Sequence, residues 1–145
     1  MTDKIKVGLI FGGNSSEYEV SIMSAHNIYE EIDTNKFDVY PMWITNDGYL
    51  ANDADSRKVL DNPKMEVANP HKVANISNIV ELKDRPEIDV FFPIVHGNLG
   101  EDGCLQGLFR VLDKPFVGDD VLAAAVTMDK EMTKILAQRA GVPVA

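Results

Sequence analysis

The chain has 145 residues, of which 45% are hydrophobic and 26% charged. That is one domain's worth of chain with enough apolar material for a core, which excludes disorder over most of its length. With 14 basic and 23 acidic residues the net charge is -9, so a nucleic-acid phosphate backbone would be repelled. A single cysteine, Cys104, excludes an internal disulfide and a cysteine-based zinc site. No apolar run approaches ~18 residues and no signal-peptide core precedes the first strand, so a soluble, cytoplasmic protein without membrane contact is expected.

Ile5 to Phe11 is short, apolar and β-branched, which suits a strand buried on both faces. Gly12-Gly13 breaks it. Ser16-x-x-Glu19 reads as a capping box that starts a helix near Ser16, with Ile22, Ala25, Ile28, Tyr29 and Ile32 on one face and a stop at Asp33-Thr34-Asn35. A second strand is expected over 37–44, then a tight turn at Asn46-Asp47-Gly48 and a short return strand at Tyr49-Leu50. Residues 51–78 are polar, carry Pro63 and Pro70 and lack a period, so they read as a surface connection with short helical turns. Ile79 to Leu82 is a weak strand candidate and Ile88 to Val95 a strong one, with Pro93 confined to its end or a bulge. Leu105, Leu108, Phe109 and Leu112 space as a helix. A last strand at Lys114 to Gly118 follows, then a helix from Asp119 to about Met128 that continues over Lys130 to Arg139 and stops at Gly141. Strand, glycine-rich turn and helix alternate, which implies an α/β fold with an open, mostly parallel, Rossmann-like sheet. Ligands bind such sheets at the carboxyl ends of the strands, where the loops 12–17 and 96–103 lie.

In the first loop, two glycines leave room for a ligand, and the helix start that follows suits an anion. Glu17 and Glu19 bring negative charge there instead. They are either solvated first-turn acids or one of them is free to hold a cation such as an ammonium group. The loop lacks the G-x-G-x-x-G dinucleotide fingerprint, which argues against a nucleotide-binding domain. In the second loop, His96 lies just past a buried strand, and Gly97, Gly100 and Gly103 permit positive φ. His96 with Glu101 and Asp102 can bind a small zwitterion, relay a proton or ligate a metal; the plain alternative is a strand-capping histidine and two helix-start acids. Lys130, at a helix start, can reach a phosphate or be an ordinary surface lysine. His26 and His71 read as surface residues, and Trp43 as sheet packing.

The run His96-Gly97-x-x-Gly100-Glu101-Asp102-Gly103-x-Leu105-Gln106-Gly107 resembles the N-terminal signature of D-alanine–D-alanine ligases. Phe11-Gly12-Gly13-x-Ser15-x-Glu17-x-Glu19-Val20-Ser21 resembles that family's first loop, and Pro115-Phe116-Val117-Gly118 and Met128-Asp129-Lys130 match in order. The resemblance covers nearly the whole chain apart from 51–85.

The resemblance implies a cytosolic, ATP-dependent enzyme of the ATP-grasp group, with magnesium, that joins D-alanine units for peptidoglycan through an acyl phosphate. A close branch takes D-lactate as second substrate. It implies that Glu17 holds the first D-alanine's ammonium, that Val20, Ser21 and Gly97 belong to that pocket, that His96 stands beside the substrate and that Lys130 contacts ATP phosphates. No metal ligand is expected in this chain. Tyr18 stands where the family often has a basic residue or histidine. The resemblance further implies a pre-ATP-grasp domain over 1–123, a helical lead-in over 124–145 to a central domain absent from this chain, and a homodimer. The piece alone is expected to be inactive. A non-catalytic binding or dimerisation module of the same fold is the alternative.

Overall fold

A computed structural model describes residues 3–75 and 87–145. Its sheet has five strands in the order β4-β3-β2-β1-β5. β1 (Ile5–Gly12) is an interior strand, second from one edge. It pairs parallel with β2 (Phe37–Ile44) from Ile5 opposite Phe37 to Gly12 opposite Ile44. On its other side it pairs parallel with β5 (Val90–Ile94) from Val7 opposite Val90 to Phe11 opposite Ile94. β3 (Tyr49–Ala51) runs antiparallel to β2, and β4 (Lys72–Asn75) antiparallel to β3. β1, β2, β4 and β5 therefore run one way, with β3 against them.

Alternation along the strands sends side chains to two cores. Leu9, Phe11, Val39 and Trp43 face helix α1 (Tyr18–Glu31), which buries Ile22 and Ala25, and helix α2 (Asp53–Asp61), which buries Val59 and Leu60. Ile10, Met42, Ile44 and Phe91 face the other way, onto α3 (Cys104–Val111) with its Leu105 and Phe109. Phe91 and Phe109 stack at 5.1 Å between ring centroids, and Phe116 lies 5.5 Å from Phe109. Two further helices close the chain, α4 (Val121–Met128) and α5 (Lys130–Arg139).

The α/β class and the mostly parallel sheet agree with the pattern in the sequence. Several local details differ. α1 starts at Tyr18, with Glu17 at its N-cap and no capping side chain, so the Ser16 capping box does not form. The serine that does bind there is Ser15, whose Oγ accepts from the Glu17 amide at 3.2 Å. The stretch 51–78 carries a full helix and a strand: Asn52 caps α2 by accepting from the Asp55 amide at 2.7 Å, and β4 extends the sheet. Helix and strand there are held by caps and pairing that hydrophobic period does not report. The strand expected at 114–118 reduces to one bridge, Phe91 with Phe116. Pro115 has no amide to donate, and Gly118 at φ +128 turns the chain away. The final helical stretch is two helices, broken at Asp129, which caps α5 from ψ 103. His26 is not a plain surface residue: its Nδ1 meets Leu60 O at 2.8 Å and ties α1 to α2. The candidate strand 79–82 lies outside the described residues. Among the described residues no helix is long and apolar enough to cross a membrane.

Candidate functional site

Parallel pairing brings the carboxyl ends of β1 and β5 side by side, so the loops that follow them meet. Ser21 on the first turns of α1 fastens the junction. Its Oγ accepts from the Gly12 amide at 2.8 Å and donates to Ile94 O, in a fully buried position. One hydroxyl thus joins the last residues of both strands to α1. Gly12 and Gly13 have φ of +89 and +99, and a Cβ on Gly12 would run into the Ile44 carbonyl. Only glycine fits a chain that turns so close to β2.

The two loops are also joined directly. Ser15 Oγ donates to His96 O at 2.9 Å. Glu17 is exposed, and its carboxylate lies against Gly97: a Cβ there would stand 3.2 Å from Glu17 Oε2. Among the described residues the Glu17 carboxylate has no hydrogen bond or ion pair, so its negative charge is open to a cation. His96 follows directly in the same turn. Its Nδ1 lies 3.3 Å from Glu101 Oε1 and its Nε2 3.3 Å from Ser24 Oγ on α1. Glu17, Gly97 and the His96 backbone are therefore neighbours where the two loops meet, and Ser21 ties the strand ends that carry them.

The other expected residues are exposed side chains. Val20 is 55% exposed on the first turn of α1. Lys130 is exposed at the first residue of α5, with no side-chain hydrogen bond or ion pair among the described residues. α4 itself is anchored beside the second loop. Asp120 takes both of its oxygens to Arg110 Nη1, at 2.9 and 2.7 Å, and a Cβ on Gly103 would stand 2.8 Å from Val121 O.

The second loop is stitched by its own acids. Asp102 accepts from the Leu99 amide at 2.9 Å and the Cys104 amide at 3.0 Å. Desolvation works against its charge, but the amides outweigh it and hold the carboxyl below the usual range. The same carboxylate raises the Cys104 thiol, helped by partial burial, so that thiol is not activated. Tyr18 accepts from Trp43 Nε1 at 2.8 Å. Burial raises its phenol, the Trp43 bond partly offsets this, and Asp47 adds to the rise. Sequence reasoning passed over Ser24 and gave Ser15 no role; it grouped Glu101 with His96 but did not see that the carboxylate meets the ring. Glu101 sits five places after His96, a spacing that a tight glycine turn folds back on itself. Among the described residues no group of three or more His, Cys, Asp or Glu is arranged to hold a metal ion.

The sequence matches the family model for the N-terminus of D-Ala-D-Ala ligases over residues 6–119. It is 99% identical over 145 residues to a D-alanine–D-alanine ligase of Lactobacillus johnsonii, covering all of this chain and 40% of that protein. It is 52% identical over 142 residues to a D-alanine–D-alanine ligase of Levilactobacillus brevis, covering 90% of this chain and 36% of that protein. Among solved structures it resembles the VanG D-Ala:D-Ser ligase from Enterococcus faecalis, with 38% identity and a TM-score of 0.78, covering 98% of this chain and 43% of that one. The D-alanine–D-alanine ligase from Coxiella burnetii aligns with 32% identity and a TM-score of 0.73, covering 97% and 43%. The chain thus spans about 40% of the length of the curated relatives it matches. With a family match over most of its residues, and with both loops of the crevice inside the matched span, the chain belongs to the D-Ala-D-Ala ligase N-terminus family.

Proposed function

We propose that this segment binds the first substrate of an ATP-dependent D-alanine–D-alanine ligase. The observation that carries the reading is the Glu17 carboxylate, unpartnered among the described residues and lying against Gly97, the residue next to His96. A zwitterionic amino acid needs an anion for its ammonium and a polar wall that leaves its carboxylate free to react. Glu17 takes the ammonium, Val20 and Gly97 flank it, and Ser21 fixes the floor by holding both strand ends. His96 stands beside the substrate as a catalytic residue. Fixing the ammonium aims the carboxylate, and in phosphoryl transfer alignment and charge stabilisation supply most of the rate.

ATP with magnesium, bound mainly by residues outside this segment, supplies the phosphoryl group that activates the carboxylate. Lys130 fits a phosphate contact: it is an exposed cation at a helix start, with no competing partner among the described residues. The deprotonated amine of a second D-alanine then attacks the acyl phosphate carbonyl, the C–N bond forms, the acyl C–O bond breaks, and inorganic phosphate leaves, following the ADP released in the first step. Residues 1–123 form the pre-ATP-grasp domain and 124–145 the lead-in to the domain that follows. The ligase works as a cytoplasmic homodimer in peptidoglycan precursor synthesis, without nucleic-acid or membrane contact, and this segment alone does not turn over. D-Alanine rather than D-lactate is taken as second substrate, in line with the name of the 99% identical relative.

The test uses the full-length protein that carries this segment. Glu17→Gln removes a charge-assisted bond of about 1.5–3 kcal/mol, so KM for the first D-alanine rises by roughly 10–150-fold while kcat falls less. An unchanged KM overturns the role of Glu17. His96→Ala lowers turnover with the melting temperature retained; loss of fold instead makes His96 structural. Offering D-alanine with D-lactate and identifying the product separates the two branches.

A further inference from the structure

Two adjacent acids of the second loop do different work. Asp102 takes the amides of Leu99 and Cys104, so it shapes the loop and the start of α3. Glu101 does neither. Its Oε2 accepts from the Gly97 amide at 2.8 Å, and its Oε1 lies 3.3 Å from His96 Nδ1. Both of its contacts are to the turn that carries the imidazole.

We propose that Glu101 is the positioning residue of His96: it sets which ring nitrogen carries the proton and in which direction the ring points. The inference rests on the reading that His96 acts on the substrate. A carboxylate only accepts hydrogen bonds, so Nδ1 holds the proton. In the neutral ring Nε2 is then left as an acceptor, facing Ser24 Oγ at 3.3 Å. Ser15 fixes the third point through the His96 carbonyl at 2.9 Å. The ring is thereby held from the second loop at one nitrogen, from α1 at the other, and by its own backbone from the first loop. Both ring contacts are long, at 3.3 Å, and leave the imidazole room to shorten either one. Nε2, not Nδ1, is therefore the nitrogen that meets the substrate, once the Ser24 hydroxyl yields.

Glutamine cannot replace Glu101. With its oxygen on the Gly97 N–H, its NH2 would donate to Nδ1 and drive the ring proton to Nε2, the opposite tautomer. The experiment is a kinetic double-mutant cycle in the full-length protein. Glu101→Gln lowers kcat by about 10–100-fold, as loss of an orienting partner does at comparable sites, with KM for D-alanine changed less than about threefold. In a His96→Ala background the same change lowers kcat less than about twofold, because its only route is gone. An equal loss in both backgrounds, with His96→Ala itself costly, overturns the proposal and leaves the site reading standing. A silent His96→Ala overturns both. A second readout needs no variant: nitrogen NMR on histidine-labelled protein finds His96 protonated at Nδ1, and a neutral ring protonated at Nε2 overturns the proposal.

Discussion

The crevice loops and the closing helices are built on opposite principles. In the loops 12–17 and 96–103, glycines sit where a Cβ would meet backbone: the Ile44 carbonyl at Gly12 and the Val95 carbonyl at Gly100. Side chains there bind backbone across long sequence distances, as Ser15 does to His96 and Ser21 to Ile94. In α4 and α5 the only buried residue is Ala124, and glycines 118 and 141 have nothing within 4 Å of a built Cβ. Those helices are held by local caps and by the exposed Arg110–Asp120 pair. The loops are fixed by many partners and the tail by few, so substitutions should cost most where partners are most numerous. For the phosphoryl transfer proposed above, that is also where alignment matters.

The sharpest way to break the contrast is a single methyl group. Gly100→Ala forces backbone to move, because its Cβ would occupy the position of the Val95 carbonyl. It should destabilise by about 4 kcal/mol, at the upper end for point variants, and chemical denaturation reads this as a lower midpoint. Gly141→Ala is a control of a different kind: it meets open space but must hold φ +78, so it should cost only about 1 kcal/mol of left-handed strain. Equal losses would mean that the loops are no more constrained than the tail.

Next in size is Ser21→Ala. It strips the Gly12 amide and the Ile94 carbonyl of a shared buried partner, and a buried donor left unpaired costs about 1–3 kcal/mol. Thermal unfolding should show it. KM for the first D-alanine should rise as well, since the strand ends that carry both loops would part.

How much of this was visible in the sequence follows the same division. β1, β2 and β5 are mostly apolar runs that read as strands from their composition, and the structure keeps Phe37–Ile44 as read. The crevice was legible in kind, since glycines, a histidine and acids at strand ends point to a site. Its wiring was not. Whether Ser15 or Ser16 binds the turn depends on which hydroxyl a chain 81 residues away presents a carbonyl to. α2 and β4 were missed for a related reason. α2 begins with an asparagine cap and two aspartates, and β4 is an edge strand read from its partner β3 rather than from its own residues. His26 looked like a surface histidine because the carbonyl it meets belongs to another helix.

A smaller test lies in the tail. Asp129 caps α5 by accepting from the Glu131 and Met132 amides, both at 3.0 Å. Asp129→Ala should cost about 1 kcal/mol and show as fraying of α5, with faster amide exchange at 131 and 132 and no change in the crevice. Protection lost in the loops as well would show that the tail supports them.

The smallest expected effect separates the regions by pH. The Asp102 carboxyl titrates below its ordinary value because the Leu99 and Cys104 amides bind the charged form more than desolvation penalises it. A depressed folded value means that the stabilisation is present above the ordinary pKa of 3.8 and is lost as pH falls through the lower, folded one. Asp102→Asn should therefore be less stable than the parent at neutral pH, and the gap should close in acid, below the usual carboxylate range. A gap for Asp102→Asn that stays constant down to low pH would mean that the loop amides do not bind the charge, and the loop's advantage over the tail would rest on its glycines alone.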